Sequence, residues 1–439
     1  MTIRKVDAFL RSPVLGGLLW LAAVSATMIE SDTYRYACGI LALIALRFYL
    51  LMPERPKVSW IGWLCMGWAA FALLLFLVMF AFVPGHPIGE SEFLYCFPFF
   101  FPILGVAFQL YWGAMERIVA AFFVLALAML AFTTRFHEIL LGETVRPLIQ
   151  NNQIHGAVCC GILLIGACFW LLHYATTPGA DRRIARLSQV VAPLVMTLSL
   201  IAIYGAKSKG VWLAFGITLP VLAVLTLRYL DIRKGAYAVA GAAALLLVGT
   251  YAVRANLDHF AGPTVSATIS MLEGSGDGHG ISGAVTNAIS SSSTPLSMDE
   301  RLKLWSNAWE LISASPIFGW GNEWLDHWYH ARYPAQYNLM HDGYLEILIR
   351  YGLFGAAIFL TMIVAFWRVI SRASRAGIVP ASAFHAYTVI LFFFALTLLS
   401  NSNNRLAIGE SLALVSSAFA CACQLRLDEK DKQPGAART

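Results

Sequence analysis

Seven polar side chains beside apolar segments are the residues of this sequence best suited to chemistry. They are one histidine, five cations and one amide: His341, Arg301, Lys209, Lys207, Arg146, Arg405 and Asn152. Histidine exchanges a proton near neutral pH and can act as a general base. Arginine and lysine side chains bind anions such as phosphate. Together these residue types favour proton transfer next to a bound anion.

Two of the cations, Lys207 and Lys209, lie in a short turn, residues 205–210, between two apolar segments. One interpretation is structural, because lysine side chains at a membrane interface extend along the helix until the ammonium reaches water. The other is an anion site at the membrane surface, assisted by the N-terminus of the helix that begins near Gly210. The sequence leaves both interpretations open.

The other candidates have structural alternatives as well. Arg301 can pair with a nearby carboxylate, and Asn152 can either cap a membrane helix or bind sugar hydroxyls and phosphate oxygens. Arg405 belongs to a Ser- and Asn-rich loop, residues 400–405, with the same two interpretations. A single histidine is more often structural than catalytic, so His341 needs support from the rest of the chain.

The surrounding sequence is typical of a membrane protein. Of its 439 residues, 59% are hydrophobic and 13% are charged, whereas soluble domains carry about 25% charged residues. A membrane helix needs roughly 20 apolar residues. We therefore predict an all-α, polytopic transmembrane bundle of about 12 spans, formed by residues 13–28, 36–52, 58–83, 93–112, 117–132, 156–174, 187–204, 211–230, 235–253, 352–370, 381–399 and 406–425.

Positive charge is distributed unevenly between the two sides of these spans. Twenty of the 31 lysine and arginine residues lie in the termini and in alternate connections, which the positive-inside rule assigns to the cytoplasm. The net charge of +6 therefore reflects membrane orientation, and we expect no nucleic-acid partner. The eight cysteines lie in or beside apolar segments, which argues against a disulfide framework or a thiolate metal site.

This pattern divides the chain into four parts. Residues 1–253 hold nine spans, residues 254–351 form a large outer loop, residues 352–425 hold three spans, and residues 426–439 form a cytoplasmic tail. The first span has no small-residue cleavage site, so we expect it to be retained rather than removed as a signal peptide.

The large loop is predicted to contain a mobile segment and two helices. Residues 273–297 are rich in glycine and serine and are expected to be a lid or a linker. The first helix covers approximately residues 299–315, where a Ser-Pro pair ends it. The second begins near Asn338 and has His341 in its first turn. Glu346 and Arg350 on this helix are predicted to form an (i, i+4) ion pair.

The order of these motifs resembles the O-antigen ligase and polymerase superfamily, bacterial membrane enzymes that transfer glycans from undecaprenyl diphosphate. Residues 206–214 (AKSKGVWLA) are similar to the family's small basic turn followed by glycine. Residues 301–321 resemble its Arg…Trp…Pro-x-x-Gly-x-Gly segment, and residues 341–355 resemble its histidine helix and Gly-x-x-Gly exit. Residues 151–156 are a weaker match to an Asn-rich helix start.

The resemblance implies a bundle of GT-C-like type in the bacterial inner membrane. The positive-inside pattern predicts that both termini lie in the cytoplasm and that the large loop, with the active site, faces the periplasm. The resemblance also implies that His341 is catalytic and that Arg301 and Lys209 bind diphosphate. Further contacts to diphosphate or glycan are expected from Lys207, Arg146, Asn152 and Arg405. The family often has arginine where Lys209 stands and an acidic residue where Arg350 stands. The first difference weakens bidentate phosphate recognition, because lysine offers only a point charge.

As expected for an O-antigen ligase, the donor would be O-antigen linked to undecaprenyl diphosphate. The acceptor would be a sugar hydroxyl of lipid A–core oligosaccharide, and membrane lipids would surround both. His341 would activate the hydroxyl as general base, while the cations stabilise the diphosphate leaving group. One direct displacement inverts the anomeric centre. We predict a metal-independent reaction without a cofactor; the rival is a cation held by Glu90 and Glu92.

Two alternatives remain open. An O-antigen polymerase or a protein O-oligosaccharyltransferase would use the same donor chemistry with another acceptor, and the short C-terminal tail favours the ligase. A lipid-linked glycan flippase or transporter belongs to a different class. Such a carrier is expected to place ionisable residues near the middle of the membrane and to show repeat symmetry. The predicted spans are nearly free of charge and show no repeat, so we prefer the enzyme.

Overall fold

The computed structural model describes residues 3–82, 90–230, 254–274, 280–291, 294–334 and 339–432, together with separate residues between 233 and 251. Regular structure in these residues is helical, and one isolated backbone bridge joins Ile29 to Ile149. The prediction of an all-α membrane bundle is confirmed. The α-helices are α1 (Ile3–Leu10), α2 (Pro13–Ala23), α3 (Thr33–Leu51), α4 (Trp60–Phe82), α5 (Phe101–Leu110), α6 (Met115–Thr133), α7 (Phe136–Leu140), α8 (Gln153–Thr176), α9 (Arg182–Gly205), α10 (Lys209–Tyr229), α11 (Arg254–Gly274), α12 (Gly280–Ser290), α13 (Leu296–Ala314), α14 (Trp324–Tyr329), α15 (Gly343–Arg375), α16 (Ala381–Leu398) and α17 (Ala407–Asp431).

Ten helical segments of the described chain are long and apolar enough to cross a membrane, and they correspond to ten of the twelve predicted spans. The first predicted span is shorter than expected. Its helix, α2, has 11 residues and is about 16 Å long, roughly half of a 30 Å hydrocarbon layer. The ninth predicted span, residues 235–253, falls largely outside the described residues. The ten segments are Thr33–Leu51, Trp60–Phe82, Phe93–Leu110, Trp112–Thr133, Gln153–Thr176, Arg182–Gly205, Lys209–Tyr229, Gly343–Arg375, Ala381–Leu398 and Ala407–Asp431.

Two apolar cores hold these helices together. The first core contains residues of α2, α3, α4 and α5, which pack with residues of α15 and α17. The second joins α6, α8, α9, α10 and α16, and α8 is buried along most of its length. Small residues allow the close approach that membrane helices need. Gly161 of α8 is one example, because a Cβ at this position would overlap the ring of Phe393 on α16.

A third and smaller core lies at one end of the bundle. Apolar residues of α13 and α14, including Leu304 and Trp328, pack there with Ile349 of α15. Helix α13 agrees with the prediction for residues 299–315 and begins three residues earlier. Residues 280–290, within the segment expected to be a lid or a linker, form the helix α12, which the sequence-based prediction did not include. Apolar residues recur there at helical spacing, and this outweighs the high content of glycine and serine.

Helix α15 is interrupted at Gly352, whose φ is +59°. The two N–H groups that follow Gly352 donate to the carbonyls of Pro316 and Ile317, each over 2.9 Å. A Cβ on Gly352 would overlap the Ile317 carbonyl. Glycine is required because it tolerates both the positive φ and this contact. The interruption separates residues 343–351 from the membrane span that the sequence predicts to begin at residue 352.

Candidate functional site

Contacts between distant parts of the chain gather the main candidate residues at one end of the bundle. We call this end the His341 face and define it as residues 206–210, 296–305, 340–346 and 399–405. The basic turn, the start of α13, the segment before α15 and the loop between α16 and α17 meet there. No two of these segments are neighbours in the sequence, so the fold brings them together.

The lysines of the basic turn are held by protein groups. Lys207 has a φ of +50° and its ammonium donates to the carbonyl of Gly142. Lys209 is the first residue of α10, which confirms the predicted helix start, and its Nζ donates to Thr264 Oγ1 over 2.7 Å. Both ammonium groups also lie near the ring of Phe260, at 5.6 and 4.9 Å from its centroid. Neither side chain therefore behaves as a simple interfacial lysine.

Arg301 is a partly buried cation of α13. Within the described part of the chain it has no hydrogen-bond or ion-pair partner, so the predicted structural alternative of a nearby carboxylate is not observed there. Burial lowers the pKa of Arg301, although a guanidinium remains charged at neutral pH. Arg301 also lies within electrostatic range of Lys209 and repels its ammonium group. Two neighbouring cations with no carboxylate between them among the described residues are suited to holding an anion.

Trp305 connects α13 to the segment that carries the histidine. It lies one helical turn after Arg301, on the same face of α13. Its indole Nε1–H donates to the carbonyl of Met340 over 3.2 Å. Met340 immediately precedes His341, so this hydrogen bond ties α13, the helix of Arg301, to the segment that carries the histidine.

His341 lies before α15 rather than in its first turn, which corrects the sequence-based prediction. Asp342 is the N-cap, and its carboxylate accepts from the N–H groups of Tyr344 and Leu345 at 2.8 and 3.1 Å. This cap starts the helix at Gly343 and leaves His341 with a φ of +50°. Non-glycine residues in this conformation are strained and often belong to functional sites.

The loop between α16 and α17 completes the His341 face. Ser400 packs on Gly210, where a Cβ would overlap the serine side chain. The next residue, Asn401, has its Oδ1 3.3 Å from Nδ1 of His341. These two contacts link the start of α10, and hence Lys209, to the imidazole.

Glu346 holds several parts of the face together. Its fully buried carboxylate accepts from the backbone N–H of Met340 over 3.2 Å and from the Ser402 hydroxyl over 2.9 Å. It also accepts from Arg350 at 2.5 Å and from Arg405 at 2.9 Å. The predicted Glu346–Arg350 pair is confirmed. Arg405 also forms an ion pair with the buried Glu346 carboxylate, and its expected contact with substrate stays a prediction.

Arg146 and Asn152 lie in the connection between α7 and α8. This connection touches the basic turn through a hydrogen bond from the Val145 N–H to the Gly205 carbonyl, 3.0 Å long. Arg146 is exposed and its Nη1 lies 3.4 Å from the Asn151 carbonyl. Asn152 caps α8, with its Oδ1 accepting from the Ile154 N–H over 2.8 Å. The structural alternative for Asn152 is therefore realised, and its contact with glycan stays a prediction.

Comparison with known protein families gives one match over the part of the chain that carries these residues. Residues 194–360 match the family described as O-Antigen ligase. The match confirms the resemblance to the O-antigen ligase and polymerase superfamily. None of the curated proteins compared with the chain matches it.

The matched segment begins within α9 and ends within α15. It includes Lys207, Lys209, Arg301 and His341, whereas Arg146, Asn152 and Arg405 lie outside it. At a coarse level, the family supports an enzyme that acts on lipid-linked glycans. Together with the ten apolar helices, it indicates a multi-pass membrane protein.

Several residues of the face were not identified from the sequence. Thr264 and Phe260 belong to α11, a helix that the sequence-based prediction left out, and both contact the basic turn. Asn401 lies in the Ser- and Asn-rich loop, which was recognised as ambiguous without a role for this residue. Glu346 was recognised only as a partner of Arg350. A useful signal would have been that Glu346, in the large outer loop, and Arg405, in the 400–405 loop, lie in connections predicted to be on the same side of the membrane.

Metal binding was expected to be unnecessary, and this stays a prediction. Within the described residues, no group of three or more His, Cys, Asp or Glu side chains lies close enough to hold a metal ion. The side chains of Glu90 and Glu92, the acids of the rival metal hypothesis, lie outside the described part of the chain.

Proposed function

We propose that this chain is an O-antigen ligase, which transfers O-antigen polysaccharide from undecaprenyl diphosphate to a sugar hydroxyl of lipid A–core oligosaccharide. One observation carries the proposal: the segment that matches the O-antigen ligase family contains a histidine and two cations that the fold brings to the same face. The positive-inside pattern supports an orientation of this face toward the periplasm, where both lipid-linked substrates would be met.

Lys209 and Arg301 would bind the diphosphate of the donor. Their mutual repulsion is relieved when an anion lies between them, so this arrangement favours the binding of negative charge. The diphosphate gains charge as the glycosidic bond breaks. Cations fixed in a partly desolvated position stabilise that charge more strongly in the transition state than in the ground state.

His341 would act as the general base. The acceptor oxygen attacks the anomeric carbon, the bond from that carbon to the phosphate oxygen breaks, and its electron pair leaves with the diphosphate. The hydroxyl proton moves to the imidazole as the new bond forms. Attack opposite to the leaving group inverts the anomeric centre, and no covalent enzyme intermediate is needed.

The deciding experiment is a transfer assay with the purified full-length protein in phospholipid vesicles. The donor is undecaprenyl-diphosphate-linked O-antigen, the acceptor is lipid A–core, and a chelator is present. His341→Ala should lower the transfer rate by about 10²- to 10⁴-fold, the usual contribution of a positioned base. His330→Ala is the matched control, because His330 is exposed and contacts the backbone carbonyl of Asp326.

The products separate the remaining possibilities. Polysaccharide attached to lipid A–core supports the ligase, whereas a longer lipid-linked glycan would assign a polymerase and a glycosylated protein would assign an O-oligosaccharyltransferase. Transfer that stops on addition of chelator would reject the metal-independent reaction. An active His341→Ala variant would remove His341 from the mechanism.

A further inference from the structure

A row of buried polar side chains leads away from His341 into the protein. Asn401 is 7% exposed, while Asn403 and Thr397 are fully buried. Asn401 Nδ2 donates to Asn403 Oδ1 over 2.6 Å, and Asn403 Nδ2 donates to Thr397 Oγ1 over 3.0 Å. The Thr397 hydroxyl donates to the carbonyl of Phe394 over 2.7 Å. The row therefore begins at an imidazole and ends at a backbone carbonyl.

The carbonyl at the end of the row sets the direction of every hydrogen bond in it. A backbone carbonyl only accepts, and two oxygens 2.7 Å apart repel each other unless a hydrogen lies between them. Thr397 must then donate to Phe394 and accept from the amide NH₂ of Asn403. This orientation turns the Asn403 oxygen toward the NH₂ of Asn401, and it turns the Asn401 oxygen toward His341.

This direction selects one tautomer of the histidine. The Asn401 oxygen can only accept, so Nδ1 of His341 must carry the hydrogen in the contact of 3.3 Å. In the neutral imidazole the lone pair then belongs to Nε2. If the row ran in the opposite direction, Nδ1 would accept from Asn401 and Nε2 would carry the hydrogen, so neither nitrogen could take a proton from a substrate.

We infer that Thr397, Asn403 and Asn401 are positioning residues that hold His341 in the Nδ1–H tautomer and so make Nε2 the base. This inference rests on the proposed function, because it assigns a purpose to the proton-accepting nitrogen. The three residues belong to α16 and the loop after it, whereas His341 precedes α15. The row therefore also fixes the imidazole relative to a second helix.

The main test replaces the residue that fixes the direction. Thr397→Val removes the hydroxyl, and one end of the Asn403 amide then loses its partner. A buried carbonyl oxygen tolerates this loss better than a buried N–H group, so the Asn403 and Asn401 amides are expected to turn over. The His341 tautomer should change to Nε2–H, and the transfer rate should fall by about tenfold, which corresponds to about 1.4 kcal/mol.

Two readouts are compared in the full-length protein in phospholipid bilayers. Solid-state NMR of protein labelled with ¹³C,¹⁵N-histidine reports which ring nitrogen carries the hydrogen, and the His341 signals are assigned by their loss in His341→Ala. The transfer assay gives the rate. Thr397→Ser keeps the hydroxyl and should restore both readouts. Thr388→Val is the matched control, because the Thr388 hydroxyl on the same helix also donates to a helix carbonyl, that of Phe384, over 2.9 Å.

A change of tautomer and rate in Thr397→Val, with neither change in the serine variant or the control, supports the inference. An Nε2–H tautomer in the unmodified protein overturns it, as does an unchanged tautomer in Thr397→Val. If the tautomer changes but the rate does not, the positioning role of the row is supported and the role of His341 as the base is rejected. Should Thr397→Val fail to fold, Asn401→Ala tests the other end of the row and is expected to give a mixture of both tautomers; Nδ1–H alone would count against the row.

Discussion

The Glu346 Oε2 atom and the Arg405 Nη1 atom lie 2.9 Å apart, although the two residues are separated by 59 positions. The ion pair ties the beginning of α15 to the loop between α16 and α17. The Glu346 carboxylate also accepts from the N–H of Met340, the residue next to His341. The pair therefore fixes two of the segments that form the His341 face, and through it Arg405 supports the site.

Replacing Glu346 with glutamine is expected to destabilise the protein strongly. The carboxylate is fully buried and pairs with both Arg350 and Arg405. Removing one partner of a buried ion pair leaves uncompensated charge and costs about 3–5 kcal/mol. Thermal unfolding of the purified membrane protein measures the effect. The control is Glu138→Gln, whose partner Arg135 is exposed, with an expected loss of about 0–1 kcal/mol. Equal melting temperatures for the two variants would contradict the supporting role of Glu346.

Replacing Arg301 with glutamine should separate activity from stability. The transfer rate should fall roughly 10- to 100-fold, because a charge-assisted hydrogen bond to diphosphate, worth about 1.5–3 kcal/mol, is lost. Stability should stay the same or rise, since a partly buried cation next to Lys209 is removed. Lys303→Gln is the control, because its Nζ pairs with Asp299 over 2.6 Å and its loss should leave the rate unchanged. A destabilised Arg301→Gln variant with full activity would assign Arg301 a structural role.

Adding a methyl group at Gly210 should disturb the His341 face from the opposite side. Gly210→Ala would overlap the Ser400 side chain, and overpacking of this kind costs about 1–3 kcal/mol. Displacement of the loop would also move Asn401 away from His341, so the transfer rate should fall. Ser400→Gly in the same chain removes the overlap and should restore the rate.

The same experiment has a control on the same helix. A Cβ at Gly216 of α10 would meet no atom within 4 Å, so Gly216→Ala should leave both stability and rate unchanged. If Gly210→Ala were as harmless as Gly216→Ala, the contact between α10 and the 400–405 loop would not position the site.

Substitutions at Asn152 distinguish capping from glycan binding. Aspartate caps a helix as well as asparagine does, whereas alanine loses about 1 kcal/mol. Because the Asn152 oxygen accepts from the Ile154 N–H, Asn152→Asp should preserve the melting temperature and the transfer rate. Asn152→Ala should lower the melting temperature. A normally stable Asn152→Asp variant that fails to transfer glycan would instead assign the amide N–H₂ group to the substrate, as the sequence predicted.

Most of the membrane architecture could be predicted from the sequence because its cause is local. A run of apolar residues must form a helix in lipid, since the backbone can satisfy its hydrogen bonds only within the segment. Ten spans follow from this rule alone. Helix α13 and the Glu346–Arg350 pair were also predictable, because helical periodicity and (i, i+4) spacing are local properties.

The start of α15 shows where local reasoning was insufficient. Several residues near His341 are compatible with the first turn of a helix, and the sequence-based prediction placed the start near Asn338. In the structure the Asp342 carboxylate caps the helix and the Glu346 carboxylate accepts from Met340. These two contacts hold His341 outside the helix in a left-handed conformation, which the residue would not favour by itself.

The sequence by itself determined that this chain is a helical membrane protein, that its unexpected cations collect at one side, and that its motifs resemble those of a glycan-transferring family. Composition and periodicity suffice for the first two conclusions because lipid acts on every segment in the same way, whereas the third rests on the resemblance of the motifs. Only the tertiary structure decided which cations remain near one another. Arg405 is paired with a carboxylate 59 residues away, whereas Arg301 lies within electrostatic range of Lys209. The charges are alike in sequence, and the packing of distant helices determines which of them meets a counter-charge.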